Sequence, residues 1–194
     1  LAERAKFWAT WNHDRWWKAY KPRERLKGGN ARAALVPVVT PAEEGPSKLP
    51  PVAEILKLKG DATRGKAVAA RCITCHVIGE LGVDVGPNLT GFGQRFPSEV
   101  VAKAIVDPSA EISLGFNSQH IVTKKDGHSI MGIVLSSGDP VIVKSMGGLT
   151  QTIPAADVKS RTEMKRSLML SADQLGLTAQ DVADVVEYLK AGSQ

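Results

Sequence analysis

Cys72-Ile73-Thr74-Cys75-His76 is the stretch on which the reading of this chain turns. It holds both cysteines of the 194 residues and one of four histidines. Two cysteines cannot build a disulfide framework, so their spacing carries the information. Structural zinc needs four ligands, usually as two Cys/His pairs at short spacing. Beyond this stretch only His13, His120 and His128 remain, and they supply no second pair. A dithiol redox pair wants a βαβ context and a helix N-terminus beside the thiols, whereas these cysteines follow an apparent helix. The third reading is covalent haem attachment, whose signature is C-x-x-C-H. Two thiols one short turn apart can reach the two vinyl groups on one porphyrin edge and form thioethers. His76 can then coordinate the iron as the proximal ligand.

Downstream, Gly86-Pro87-Asn88-Leu89 begins ten residues after His76 and is followed by Gly91-Phe92-Gly93-Gln94-Arg95. Taken singly, these are a plain turn and a solvated surface charge. Taken with C-x-x-C-H, they resemble class I cytochromes c, which carry a G-P-N-L segment and a later Arg at similar spacing. The resemblance implies that the Pro87 carbonyl accepts a hydrogen bond from His76 and raises its basicity. It implies that Arg95 pairs with a haem propionate. It also calls for a methionine on a loop before the last helix, because a thioether favours ferrous iron and raises the potential. Met131 and Met146 fall inside predicted strands. Met169, in Ser167-Leu168-Met169-Leu170, is the expected sixth ligand. Met164, an open or water-ligated site and a His partner are the alternatives; His120 and His128 read as surface strand residues.

The segment around Met169 is similar to the S-L-M-P motif of one subgroup, haem-binding domains at the C-terminus of large multidomain proteins of planctomycete-type bacteria. Gly60-Asp61-Ala62-x-Arg64-Gly65-Lys66, Asp107-Pro108-Ser109 and a strand insertion with an Asp-Gly turn match that subgroup too. The match covers about 52–191. Leu170 departs from it, standing where proline would stiffen the ligand loop.

The patterning agrees with a mainly α cytochrome c fold carrying a small antiparallel β insertion between the third helix and the Met-ligand loop. Val52–Leu58 reads as a short helix. Asp61 or Thr63 caps a second helix through about Arg71. Pro97–Val106 starts on proline, where a missing N–H costs little, and stops before Asp107-Pro108. The period then changes. Residues 118–135 alternate around Asp126-Gly127, a hairpin signal. Asp139-Pro140 and Gly147-Gly148 punctuate two further strands, through about Ile153, within an insertion of about 117–163. Thr178 caps a last helix with Val182, Val185, Val186 and Leu189 on one face.

Before this domain, set at 52–194, lie two other regions. Residues 28–51 contain Gly28-Gly29 and five prolines and read as an extended linker. Residues 1–27 hold Phe7, Trp8, Trp11, Trp16, Trp17 and Tyr20, six of the chain's ten aromatics. Such a stretch marks an interface, and it resembles the tail of a helical repeat region. The net charge of +5 is uneven: residues 1–59 carry +6 and residues 60–194 carry −1. A solvated arm is the ordinary explanation, with docking onto an acidic partner the next. No basic stripe lies on a nucleic-acid recognition fold. The longest apolar run, Ile130–Leu135, is far short of the roughly 18–20 residues that span a bilayer. The chain begins at Leu1 without a basic-then-apolar leader, so an export signal is expected to have been removed or to lie outside this sequence.

Three functions are weighed. The first is an electron-transfer module with one haem c, His76 and Met169 as iron ligands, and Cys72, Cys75, Pro87 and Arg95 as haem contacts. It would pass electrons between a redox partner protein or fused dehydrogenase domain and an external acceptor, and is not itself an enzyme. The second is a haem enzyme or gas sensor with an open or displaceable sixth position. The third is a structural or docking module in which haem mainly staples the fold, and the strand edges of the 117–163 insertion pair with or cover a neighbour. Haem c attachment in bacteria implies the periplasm or another site outside the cytoplasmic membrane.

Overall fold

In the computed structural model, which describes residues 34–41 and 45–192, two helices begin at caps that the sequence assigns, Asp61 and Thr178. α1 is Val52–Ile55 and α2 is Ala62–Val68, with Asp61 at the N-cap accepting from the Arg64 amide at 2.9 Å. α2 tightens into a 3₁₀ stretch over Ala69–Thr74, which delivers Cys72 and ends at Cys75. A two-stranded hairpin follows, β1 Val77–Ile78 and β2 Leu81–Gly82. α3 is a single turn, Phe92–Arg95, and α4 is Ser98–Val106. α4 is the helix that the sequence places third. Pro97 occupies its N-cap rather than its first turn.

α5, Ala179–Lys190, carries a capping box in which Thr178 and Asp181 bond each other's backbone amide. The cap contributes about 1 kcal/mol. Each of the buried Val182, Val185, Val186 and Leu189 side chains contributes about 1.5–3 kcal/mol. Packing therefore holds α5, and the cap sets where it starts. Its apolar face joins Ile55, Ala69, Ile78, Val101, Ala102 and Ile105 in the helical core.

Three glycines bring other backbone against α5. A Cβ on Gly60 would lie 2.5 Å from the Ala183 carbonyl oxygen. One on Gly65 would lie 2.5 Å from the Asp184 carbonyl carbon, and one on Gly93 would lie 2.6 Å from Leu189 backbone. At the crossing of α2 and α5, Asp184 is buried, yet its carboxylate is fully engaged. Arg64 Nε and Nη2 donate to its two oxygens at 2.7 and 2.8 Å, and Asp61 N and Gln180 Nε2 each donate at 2.8 Å. The Arg64 hydrogen bond, more than any other cause, holds the Asp184 carboxyl below its ordinary value of 3.8. A lowered native pKa gives stability that is complete above the unfolded value and is lost as pH falls through the native one. Asp184→Asn is thus expected to cost about 2 kcal/mol at neutral pH. The gap to the parent should stay constant above pH 3.8 and close below it, read from urea melts across a pH series. A pH-independent gap would remove the ionised carboxylate from the account.

The insertion is a five-stranded antiparallel sheet in the order β6-β5-β4-β3-β7. Its strands are β3 Ser118–Thr123, β4 Ser129–Ser136, β5 Val141–Lys144, β6 Thr150–Ile153 and β7 Val158–Glu163. Gly127, with φ of +63°, makes the expected β3–β4 turn. Ile121, Ile130, Val141, Val143 and Ile153 form the sheet's own core.

The sequence reading stopped the strands at Ile153, and β7 is the correction. Val158-Lys-Ser-Arg-Thr-Glu163 shows no apolar alternation because it is an outer strand, mostly exposed. It is held by its ladder to β3, and charged edges of this kind resist pairing with other chains. Met146 is a second correction: it lies in a 3₁₀ turn, Met146–Gly148, rather than in a strand.

The chain divides into two units, Leu1–Ala34 and Leu35–Gln194. The aromatic reading of 1–27 falls outside the described residues. Within 28–51, Val38 runs parallel to β4 at Ile130, with Val38 N donating to Ser129 O at 2.9 Å and Met131 N to Val38 O at 2.8 Å. The Gln151 side chain brackets the Val36 amide and carbonyl.

Candidate functional site

The 3₁₀ turn explains how Cys72 and His76 come together in the backbone. Cys75 N and His76 N both donate to Cys72 O, at 3.0 and 2.9 Å. The motif is therefore one tight turn, and both cysteines are free thiols, half-buried. They face different surroundings. Cys72 packs against the helical core, along with Ile73, Leu89, Phe92 and Met169. Cys75 packs with Val83, Phe116, Met131 and Met164 around a second apolar cluster of Val85, Ile133 and Leu168. Burial, above all other causes, pushes the Cys72 thiol up. A reactive thiol needs the opposite shift, so Cys72 is not set up as a redox nucleophile.

After His76 the hairpin reverses the chain. Gly82, at φ +109°, passes against the His76 carbonyl, where any Cβ would clash. Val83 N then donates to Ile73 O at 3.0 Å, and Val85 N and Gly86 N donate to Cys75 O at 3.0 and 2.7 Å. These bonds carry Gly86-Pro87 back over the imidazole.

His76 is 7% exposed, and its Nδ1 lies 2.7 Å from the Pro87 carbonyl. A carbonyl only accepts, so Nδ1 carries the proton and the lone pair resides on Nε2. Burial lowers the imidazole pKa, with the Pro87 bond opposing more weakly, and the ring is kept neutral. Nε2 has no hydrogen-bond partner among the described residues.

Gly86 is the residue that the sequence reading undervalued as turn-former alone. A Cβ there would lie 2.8 Å from His76 Nδ1 and 3.0 Å from Nε2. The imidazole lies against bare backbone at this position. The signal was the glycine before proline, which a turn explains equally well. Gly86→Ala is expected to cost about 1–3 kcal/mol by overpacking, and to release the Nδ1–H from protection in an NMR exchange measurement. An unchanged Nδ1–H would mean that the ring does not depend on this contact.

The remaining candidates are placed as follows. Arg95 is exposed, and its guanidinium turns to its own chain, donating to Gly91 O and Thr90 O at 3.3 Å each. Met169 is half-buried beside the helical core, whereas Met164 belongs with the Cys75 cluster. The Met169 loop is tied to the end of α4, with Ser167 N donating to Ser109 Oγ at 3.1 Å and Ala172 N to Ile105 O at 2.9 Å. That is the structural role of Asp107-Pro108-Ser109. His120 lies on β3, with a buried Nε2 that has no hydrogen-bond partner among the described residues. Among the described residues no three His, Cys, Asp or Glu side chains converge to hold a metal ion.

Residues 62–131 match the family described as Cytochrome c. This domain is related to c-type cytochromes. A cytochrome c-553-like protein of Synechocystis sp. is 49% identical over 47 residues, 24% of this chain and 44% of that relative. The alignment thus spans less than half of the relative's length. The match to the cytochrome c family runs from the start of α2 into β4, and so contains the C-x-x-C-H turn, Gly86-Pro87 and Arg95. The helical body with a strand insertion is a variant of the c-type cytochrome fold. The donor set fits a covalent haem: two thiols in one turn, an imidazole of fixed tautomer whose Nε2 has no partner among the described residues, and a glycine cradle behind its ring.

Proposed function

We propose that this chain is a one-electron carrier in which Cys72 and Cys75 would hold a single haem c and His76 and Met169 would ligate its iron. The observation that carries the reading is the His76 tautomer: Nδ1 is committed to Pro87 at 2.7 Å, and Nε2 has no partner among the described residues, in a turn that also holds two free thiols. Bound haem supplies the Fe(III)/Fe(II) couple. The chain's own residues do the rest. Pro87 orients His76 and increases its electron donation. The two apolar clusters around the cysteines exclude water, which raises the cost of the extra ferric charge. Arg95 is assigned to a haem propionate, leaving its bonds to Thr90 and Gly91.

Ser167-Leu168-Met169 and Gly60-Asp61-x-x-Arg64-Gly65 support placement in the planctomycete-type C-terminal subgroup. On that reading the donor is a dehydrogenase domain, fused or separate, the acceptor is an external protein, and the location is outside the cytoplasmic membrane. No helix among the described residues is long and apolar enough to cross a membrane.

The deciding experiment is an optical spectrum with a pyridine haemochrome assay on protein matured beside a working haem-attachment system. The haem c spectrum is expected, and a colourless product would end the reading. Met169→Leu is then expected to abolish the far-red thioether–iron band of the oxidised protein and to let the ferrous form bind CO. A band that persists would transfer the role to Met164. CO binding by the parent would favour the sensor or enzyme reading.

A further inference from the structure

Three contacts run from the sheet to one short segment. Ile133 of β4 shares a buried cluster with Val85. Lys144, ending β5, pairs with Asp84 at 3.1 Å, its own side chain only 21% exposed. Gly148, in the turn after β5, approaches Val83 so closely that a Cβ would lie 2.5 Å from Val83 Cγ1. Val83, Asp84 and Val85 immediately precede Gly86 and Pro87, the two residues set against the His76 ring. On its other side the same segment is bonded to the motif backbone at Ile73 and Cys75. It is held between the C-x-x-C-H turn and the sheet.

We propose that the sheet is a brace that presses the Pro87 carbonyl onto His76 Nδ1–H, with Ile133, Lys144 and Gly148 as positioning residues. This rests on the reading of His76 as the iron ligand. Hydrogen bonds weaken steeply with distance and misalignment. A fixed Pro87 carbonyl therefore gives the imidazole a fixed donor strength, and a loosened one does not. Leu168, which precedes Met169, lies in the same cluster as Ile133 and Val85. One sheet residue thus contacts the surroundings of both proposed axial ligands. A partner that displaced the sheet would be felt at the iron.

The test uses the ferrous holoprotein and ¹⁵N-edited NMR of the His76 Nδ1–H. Ile133→Ala and Lys144→Gln are each expected to speed its exchange with solvent by about fivefold or more, since exchange follows local opening. Its resonance should move upfield as the bond lengthens. Ile133→Val should restore both. Thr152→Ala, at an exposed position of the edge strand β6, should leave both at parent values. Exchange and shift unchanged in both brace variants, even with a lowered melting temperature, would overturn the proposal and leave the sheet a stabiliser only. A parent without haem, or with haem that ignores His76→Ala, would instead overturn the ligand reading on which the proposal rests.

Discussion

Cys72→Ala/Cys75→Ala should contain no haem after acid–acetone extraction, whereas the parent should keep all of it. Each single variant should keep one thioether and an intermediate colour. The expectation follows from the turn: both thiols are free, and both precede the same imidazole. The stability consequence separates haem from side chain. Cysteine to alanine at two half-buried positions removes little apolar surface, about 1 kcal/mol at each. Loss of a bound haem should cost several times that, on the order of 5 kcal/mol, because a group that binds only the folded state stabilises it. Urea melts of matured parent and double variant measure the difference. Haem that survives extraction from the double variant would show that attachment lies elsewhere. Equal melts would show that haem is not part of the core.

Gly65→Ala should be a strongly damaging single-methyl change. Inside an ordinary helix this substitution stabilises by about 1 kcal/mol. Here the added Cβ meets backbone of Asp184 and, at 2.8 Å, Tyr188 Cβ. Backbone carbonyls cannot rotate away, so α2 and α5 must separate and the Arg64–Asp184 bonds lengthen with them. A cost of about 3 kcal/mol or more is expected, read as a lowered urea midpoint with an unchanged slope. Gly127→Ala is the control. Gly127 has a positive φ of +63° and nothing within 4 Å of a Cβ, so only the left-handed strain of about 1–2 kcal/mol applies. If Gly65→Ala matched the parent, close contact between α2 and α5 would not be what requires glycine there.

What the sequence displays depends on how local the cause is. Asp61 and Thr178 cap the helices that the sequence assigns to them, because a cap is decided within four residues. The Asp126-Gly127 hairpin is legible for the same reason. β7 is not, since its only determinant is the ladder to β3, some forty residues earlier, and its side chains face water. α3 is one turn long and too short to show a period. The site divides the same way. C-x-x-C-H declares itself by spacing, and Pro87 enters through resemblance. Gly86, Gly82 and Val85 act through the path of the returning chain, which no pattern within the motif records. Gly65 stands mid-helix against propensity, and only the arrival of α5 explains it.

The crossing of α2 and α5 joins Arg64 to Asp184 across 120 residues. Closing a loop of that length costs conformational entropy that local contacts escape. Without α5 the helical core, against which Cys72 packs, lacks the wall supplied by Val182, Val185, Val186 and Leu189. On the proposed reading haem would attach before this wall closes, and the twelve-residue α5 would complete the core beside Cys72 after the thioethers form.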